Sequence, residues 1–142
     1  MSWISWKEDY LIGVETLDND HKTLFGLINE FHDAFQQSRQ RRDLVNILNR
    51  LVAYAEEHFD REEAAMKSHD YPETDNHHLL HEELFDTIFA LNTRIETDSL
   101  PLDREIIAFL KHWLSSHILE HDLQFAYFIR EKNSGDGKSA SE

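Results

Sequence analysis

The chain has 142 residues, with 28 acidic against 14 basic side chains, a formal charge of −14 and no cysteine. This length suits one domain with a substantial core. The negative charge argues against binding to nucleic acid or to an anionic membrane surface, and the lack of cysteine excludes disulfides, thiolate metal ligands and a cysteine nucleophile. Ten histidines beside only four glycines and two prolines indicate long helices that carry many imidazoles.

The N-terminal residues lack a basic segment followed by an apolar run. No later stretch approaches the apolar length that spans a bilayer. We therefore expect a soluble, cytoplasmic protein without membrane insertion.

Apolar residues recur every three or four positions in four segments, which predicts four amphipathic helices. An N-terminal arm containing Trp3, Trp6 and Tyr10 precedes the first helix. That helix is predicted to begin at about Asp18 and to fade in the polar stretch 36–42. Asp43 is predicted to cap the second helix, which runs to residue 68.

Two prolines mark the later boundaries. Pro72 is predicted to separate the second helix from the third, and Pro101 lies near the start of the fourth, which ends before Asn133. Short connections favour an all-α fold, an up-down-up-down antiparallel four-helix bundle, over residues 1–132. Residues 133–142 are expected to form a disordered tail, and the protein is taken to be a monomer.

Polar residues occupy positions that should face the core of this bundle, where each needs a partner. The seven candidates, all able to bind a metal, are His21, His58, Glu62, His77, His81, His117 and Asp122. They are predicted to reach one level when the chain turns near residues 40, 71 and 99. For example, His21 lies 19 residues before residue 40, while His58 and Glu62 lie 18 and 22 residues after it.

Five imidazoles and two carboxylates exceed the needs of one ion. They suit two metals that share bridges, because each carboxylate has two oxygens. Nitrogen and oxygen donors without thiolate suit iron, manganese or zinc, so the ligand types leave the metal open.

Four segments of the sequence together resemble the signature of the hemerythrin family, especially its single-domain bacterial members. The segments are LDNDH ending at His21, HFDRE over 58–62, HHLLH over 77–81 and HILEHD over 117–122. The likeness covers about residues 3 to 131.

The resemblance implies two iron ions that cycle between Fe2+ and Fe3+ and share an oxo or hydroxo bridge. It also implies a division of the ligands: His77, His81 and His117 on one iron, His21 and His58 on the other, and Glu62 and Asp122 between them. The iron with two histidines would keep an open position for reversible oxygen binding. Dioxygen is then the expected partner, and an oxygen-consuming enzyme the expected recipient.

The ligand balance favours an oxygen carrier, store or shuttle over an enzyme. Imidazoles are neutral donors, and two carboxylates give less support to high-valent iron than carboxylate-rich oxygenase sites do. Reversible binding also needs an apolar, nearly dry pocket. Its predicted lining is Trp113, Leu114, Ile118, Phe25 and Phe59.

The spacing of five between His117 and Asp122 places them about 140° apart on an ideal α-helix. The two residues therefore either straddle the inward-facing stripe or sit on a local π-type bulge, and the bulge is our hypothesis. His121 is a rival ligand, because His117 with His121 copies the spacing of His77 with His81. The resemblance favours Asp122.

Three other functions remain open at this point. A di-iron oxidase, peroxidase or nitric-oxide-handling enzyme could use the same scaffold. The domain could also report oxygen or iron to a partner as a sensor. A histidine phosphotransfer bundle has four helices too, but it needs one exposed histidine, not a buried layer of five.

Overall fold

Helices account for most of the computed structural model, which describes residues 6–97 and 104–141. A short 3-10 turn, Glu8–Tyr10, lies in the N-terminal arm. The helices are α1 Glu15–Gln36, α2 Arg41–Ser68, α3 Thr74–Glu96, α4 Arg104–His117 and α5 Leu123–Ser141, with a π-helical segment, Ile118–Asp122, between the last two. Because α4, the π-helical segment and α5 follow one another directly, they form a single fourth rod.

The four rods form the predicted bundle. Helix α1 packs against α2 and α4, and α2 packs against α3. The short connections between consecutive helices favour an antiparallel arrangement of neighbours. The all-α four-helix prediction is confirmed, and no strand occurs within 6–97 or 104–141.

Helices α1 and α2 both end at a non-glycine residue with positive φ. Ser38 and Asp70 each have φ of 55°, the left-handed conformation that commonly terminates helices. After α2, the backbone N–H of Tyr71 donates to the carbonyl of Met66 at 2.9 Å, which satisfies a carbonyl of the last turn. The chain therefore reverses without a glycine at either connection.

Two helix starts differ from the sequence prediction. The expectation that Asp43 caps the second helix is wrong, because its N–H already donates to the Gln40 carbonyl at 2.9 Å and α2 begins at Arg41. Asp43 instead lies in the first turn, where its negative charge interacts favourably with the helix dipole. Helix α1 begins at Glu15, earlier than the predicted Asp18.

Asp18 ties the N-terminal arm to α1. Its carboxylate accepts the backbone N–H of Ile12 at 2.7 Å and that of Gly13 at 3.2 Å. These bonds hold the arm against the first turn of the helix.

Some predictions fall at the edges of the described ranges. Trp3 and Pro101 lie outside the described residues. The helical backbone of α5 continues to Ser141, beyond the end that the sequence predicted near residue 132. The division into a bundle over 1–132 and a disordered tail over 133–142 stays a prediction.

Two apolar clusters fill the bundle. The larger includes Leu24, Phe31, Leu48 and Leu110, and the smaller includes Leu17, Met66 and Phe125. On α1 and on the fourth rod, the candidate residues lie between the parts that supply these two clusters. The polar layer is therefore enclosed by apolar packing on both sides. Within the described ranges, no helix has the length and apolar content needed to cross a membrane.

Two glycines should respond in opposite directions to replacement by alanine. Gly26 lies within α1, where an added Cβ would meet no atom within 4 Å, whereas Gly13 has φ of +99°. We expect Gly26→Ala to raise the free energy of unfolding by about 1 kcal/mol, because helical glycine is costly. We expect Gly13→Ala to lower it by about 1 kcal/mol or more, because positive φ strains an L side chain. Urea unfolding checks both, and equal shifts for the two variants would contradict this account.

Candidate metal centre

The bundle brings the seven predicted residues together. They come from all four rods, and their exposed fractions range from 0% to 5%: His21 on α1, His58 and Glu62 on α2, His77 and His81 on α3, His117 at the end of α4 and Asp122 at the end of the π-helical segment. Two of the pairs lie four residues apart on one helix, which places both side chains on the same face. Buried polar side chains at this density require strong mutual compensation.

The π-helical segment allows His117 and Asp122 to face the same interior. A π turn contains more residues than an α turn, so a spacing of five returns almost to the same face. Asp122 Oδ1 lies 2.9 Å from His117 Nε2. The predicted bulge is confirmed.

The two oxygens of Glu62 face different histidines. Oε1 lies 2.9 Å from His77 Nε2 and 3.1 Å from His81 Nε2. Oε2 lies 3.5 Å from His21 Nε2 and 3.3 Å from His58 Nε2. Glu62 therefore has one oxygen for each set of imidazoles.

Asp122 divides in the same way. Its Oδ1 lies 3.0 Å from His77 Nε2 as well as close to His117, and its Oδ2 lies 3.0 Å from His21 Nε2. The donor atoms form two groups, within each of which all atoms lie within 4.8 Å of one another. The three-histidine group is His77, His81, His117, Glu62 and Asp122, and the two-histidine group is His21, His58, Glu62 and Asp122.

Many of these atoms lack hydrogen-bond partners despite their burial. They include both nitrogens of His21, Nε2 of His58, Oε2 of Glu62 and both oxygens of Asp122. Such atoms are rare in proteins, because leaving them unpaired costs free energy. Since they converge on two points, nitrogen and oxygen donors of this kind fit a pair of metal cations.

In the metal-free protein, the two carboxylates and three of the imidazoles hold each other in their charged forms. Burial alone would lower the pKa of the imidazoles, but contacts with the two carboxylates raise that of His21 to about 10, that of His77 to about 9 and that of His117 to about 8. Burial would raise the pKa of Glu62 and Asp122, but the imidazoles hold both below their usual range. Protons on the histidines therefore supply the positive charge that metal ions would supply.

Two of the histidines are fixed from behind by carboxylates. His58 Nδ1 donates to Asp20 Oδ2 at 3.0 Å, and His81 Nδ1 donates to Glu63 Oε2 at 2.8 Å. In both residues, Nε2 is the nitrogen directed at the centre. This arrangement is common for metal-binding histidines, because it fixes the tautomer and the ring orientation.

Sequence reasoning did not identify Asp20 or Glu63. The sequence held one signal for Asp20: it interrupts the apolar row of Leu17, Leu24 and Leu27 at helical spacing. Its 4% exposure shows that it belongs to the interior.

Aromatic rings surround part of the centre. Phe59 stacks on His81 at 4.0 Å between ring centroids, and it also contacts His58 and His117. Trp113 contacts Phe59 at 6.4 Å, and Leu114 is buried in the larger apolar cluster.

The other predicted pocket residues are placed differently. Phe25 contacts Trp6, which in turn lies 6.4 Å from the His21 ring. Trp6 was predicted only as part of the arm and is a further candidate for the lining. The side chain of Ile118 does not belong to the part of the chain whose side chains the structure describes. The role of these residues in an oxygen pocket stays a prediction.

The remaining histidines lie outside the two groups. His112 and His78 are exposed, and His32 and His69 are partly buried. His121 is partly buried, and its ring centroid lies 5.9 Å from that of His117. Burial and the neighbouring His117 and His77 lower its pKa. The geometry thus joins Asp122, rather than His121, to the donor groups.

Comparison with known proteins agrees with this geometry. Residues 12–128 match the family model described as the hemerythrin HHE cation binding domain. The chain belongs to the hemerythrin family. Its sequence is 28% identical to bacteriohemerythrin from Pseudomonas aeruginosa over 142 residues, which is 100% of this chain and 92% of that protein.

Two further hemerythrin-family proteins extend the likeness. Myohemerythrin from Theromyzon tessulatum is 31% identical over 120 residues, covering 84% of this chain and 88% of that protein. The crystal structure of a wild-type hemerythrin superposes with a TM-score of 0.80 at 24% identity, covering 87% of this chain and 95% of that one. The structural likeness supports the fold.

Alanine substitutions at Asp122 and at His121 should show which of the two residues is a metal ligand. We expect Asp122→Ala to abolish stable binding of two metal ions, because it removes an oxygen from each donor group. His121→Ala should leave the metal content unchanged. Metal analysis after anaerobic Fe(II) loading checks this. Retained metal in Asp122→Ala together with loss in His121→Ala would reverse the assignment.

The metal-free protein should lose stability as the pH rises from about 6.5 to about 10, because the histidines of the centre have a pKa of about 6.5 when unfolded and His21 has one of about 10 when folded. The raised pKa of His21, His77 and His117 means that their contacts with the carboxylates stabilise fully below about 6.5 and weaken as each imidazole loses its proton. Thermal unfolding across this range measures the effect. The metal-loaded protein is the control and should change less, since metal replaces these protons. A metal-free unfolding temperature that rises with pH would contradict the charge state described above.

Proposed function

We propose that this centre holds two iron ions and binds dioxygen reversibly. The observation that carries the proposal is the division of the Glu62 and Asp122 oxygens between two sets of histidines. A carboxylate that presents one oxygen to each set is suited to bridge two ions. A single-ion site would not need two separate groups of nitrogen donors.

The two donor groups are unequal. One contains five residues and the other four, with both carboxylates counted in each. Iron bound by nitrogen and oxygen tends toward six donors, so a shared solvent-derived oxygen would leave a free position on the side of His21 and His58. An exogenous diatomic molecule would bind on that side.

Two ferrous ions would supply the electrons that dioxygen takes up on binding and returns on release. The residues of the chain then have two tasks. The imidazoles and carboxylates hold the ions, and the aromatic side chains keep water away from them. Phe59, through its contacts with His58 and His81, is well placed for the second task, and Trp6 covers the His21 ring from the arm.

The donor types favour reversible binding over oxidation of a substrate. Five of the seven donors are neutral imidazoles, so the centre offers limited anionic support for high-valent iron. The family membership agrees with an oxygen-binding role. Under this proposal the protein carries, stores or shuttles oxygen as a monomer, with an oxygen-consuming enzyme as its recipient.

The test is the visible spectrum of anaerobically Fe(II)-loaded protein during exposure to oxygen and then to argon. We expect a colourless start, a band that grows under oxygen and its disappearance under argon over repeated cycles. Asp122→Ala treated in the same way should show no such band. Steady oxygen consumption with added reductant would indicate an oxidase instead. A single irreversible oxidation would contradict carriage and favour a sensor.

A further inference from the structure

Asp20 makes an unusually complete set of contacts behind the metal centre. Its carboxylate accepts from His58 Nδ1 at 3.0 Å, from the Tyr54 hydroxyl at 2.8 Å, and from Nε and Nη2 of Arg61 at 2.8 and 2.9 Å. Four donors therefore surround one carboxylate that is only 4% exposed. A carboxylate held in this way cannot rotate without breaking several of these bonds.

The charge of Asp20 is balanced locally. Arg61 forms a two-pronged pair with it, and the Arg61 guanidinium also lies 5.5 Å from the centroid of the Tyr54 ring. Burial would raise the pKa of Asp20, but hydrogen bonds from His58, Arg61 and Tyr54 keep it well below its usual range. Asp20 is thus a fixed anion that does not depend on the metal for compensation.

This anion determines which nitrogen His58 presents to the centre. Because Nδ1–H donates to Asp20, Nε2 is the nitrogen that faces the centre, 3.3 Å from Glu62 Oε2, and it becomes a metal ligand when it loses its proton. The other histidine of the two-histidine group, His21, has a buried Nδ1 with no hydrogen-bond partner among the described residues. Of these two ligands, Asp20 fixes one, and no comparable contact within 6–97 or 104–141 fixes the other.

The three-histidine group has less need of such support. His81 is held by Glu63, but Glu63 is shared with His78, whose side chain is 51% exposed. That group also has five donor residues, whereas the two-histidine group has four. Loss of a carboxylate that orients a ligand should therefore lower the metal affinity most in the two-histidine group, which has the fewest donors.

We propose that Asp20, clamped by Arg61 and Tyr54, is the positioning residue of the two-histidine group and sets its affinity for the second ion. The inference rests on the proposed function, because it assumes that two ions bind. It predicts that loss of Asp20 lowers the affinity for the ion of the two-histidine group more than the affinity for the other ion.

The experiment is an anaerobic titration of the full chain with Fe(II), followed by the stoichiometry and affinity of each ion. Wild-type protein should bind two ions. In Asp20→Asn, the amide cannot accept from all four donors, so the affinity for one ion should fall by about 10- to 100-fold while the other is retained. Circular dichroism on the same samples confirms that each variant is folded.

Asp18→Asn is the matched control. Asp18 is also a buried acid on α1, 6% exposed, but it accepts backbone N–H groups of Ile12 and Gly13 instead of contacting a ligand. Its loss removes the same charge from the same helix. We expect a lower unfolding temperature with two ions still bound at wild-type affinity.

A milder variant covers the case in which Asp20→Asn fails to fold. Tyr54→Phe keeps the carboxylate and removes one of its donors, and it should weaken the second ion severalfold.

Three results would overturn the proposal. The first is an unchanged affinity for both ions in folded Asp20→Asn, or in Tyr54→Phe if Asp20→Asn does not fold. The second is an equal loss of affinity for both ions in Asp20→Asn, and the third is an equal loss of affinity in Asp18→Asn and Asp20→Asn. Wild-type protein that binds fewer than two ions would instead refute the proposed function itself.

Discussion

Two buried carboxylates, each shared between two sets of imidazoles, are the constraint on which the rest of the structure depends. Glu62 and Asp122 have no exposure at all, and a carboxylate in such a place must be compensated by positive charge. Without metal, the compensation comes from protonated histidines; with metal, it would come from cations. The apolar clusters on both sides keep water out and so strengthen this compensation.

The same constraint explains the irregular fourth rod. An ideal α-helix would turn Asp122 away from His117, so the carboxylate could not meet both sets of histidines. The π-helical segment adds the residue that brings Asp122 back to the interior. Its cost in helix geometry is offset by contacts with His21, His77 and His117.

The centre is asymmetric in its support as well as in its donors. In the two-histidine group, His58 donates a hydrogen bond to Asp20, which Arg61 and Tyr54 hold in place. Trp6 of the N-terminal arm lies beside this group. In the three-histidine group, His81 stacks on Phe59 and donates a hydrogen bond to Glu63, which also contacts the exposed His78. Asymmetric support is consistent with one ion that is held firmly and one that remains open to a small molecule.

By itself, the sequence determined the helices, their approximate ends and the seven residues that meet in one layer. Helical periodicity and the distances of His21, His58 and His117 from the turns are properties of the chain alone. Even the π bulge was suggested by the spacing of His117 and Asp122. The division of the carboxylate oxygens and the role of Asp20 were decided only by the tertiary structure, because they depend on how neighbouring rods rotate against each other. Helix starts such as Arg41, where Asp43 was expected as the cap, were likewise settled by backbone hydrogen bonds that compete with a local side-chain preference.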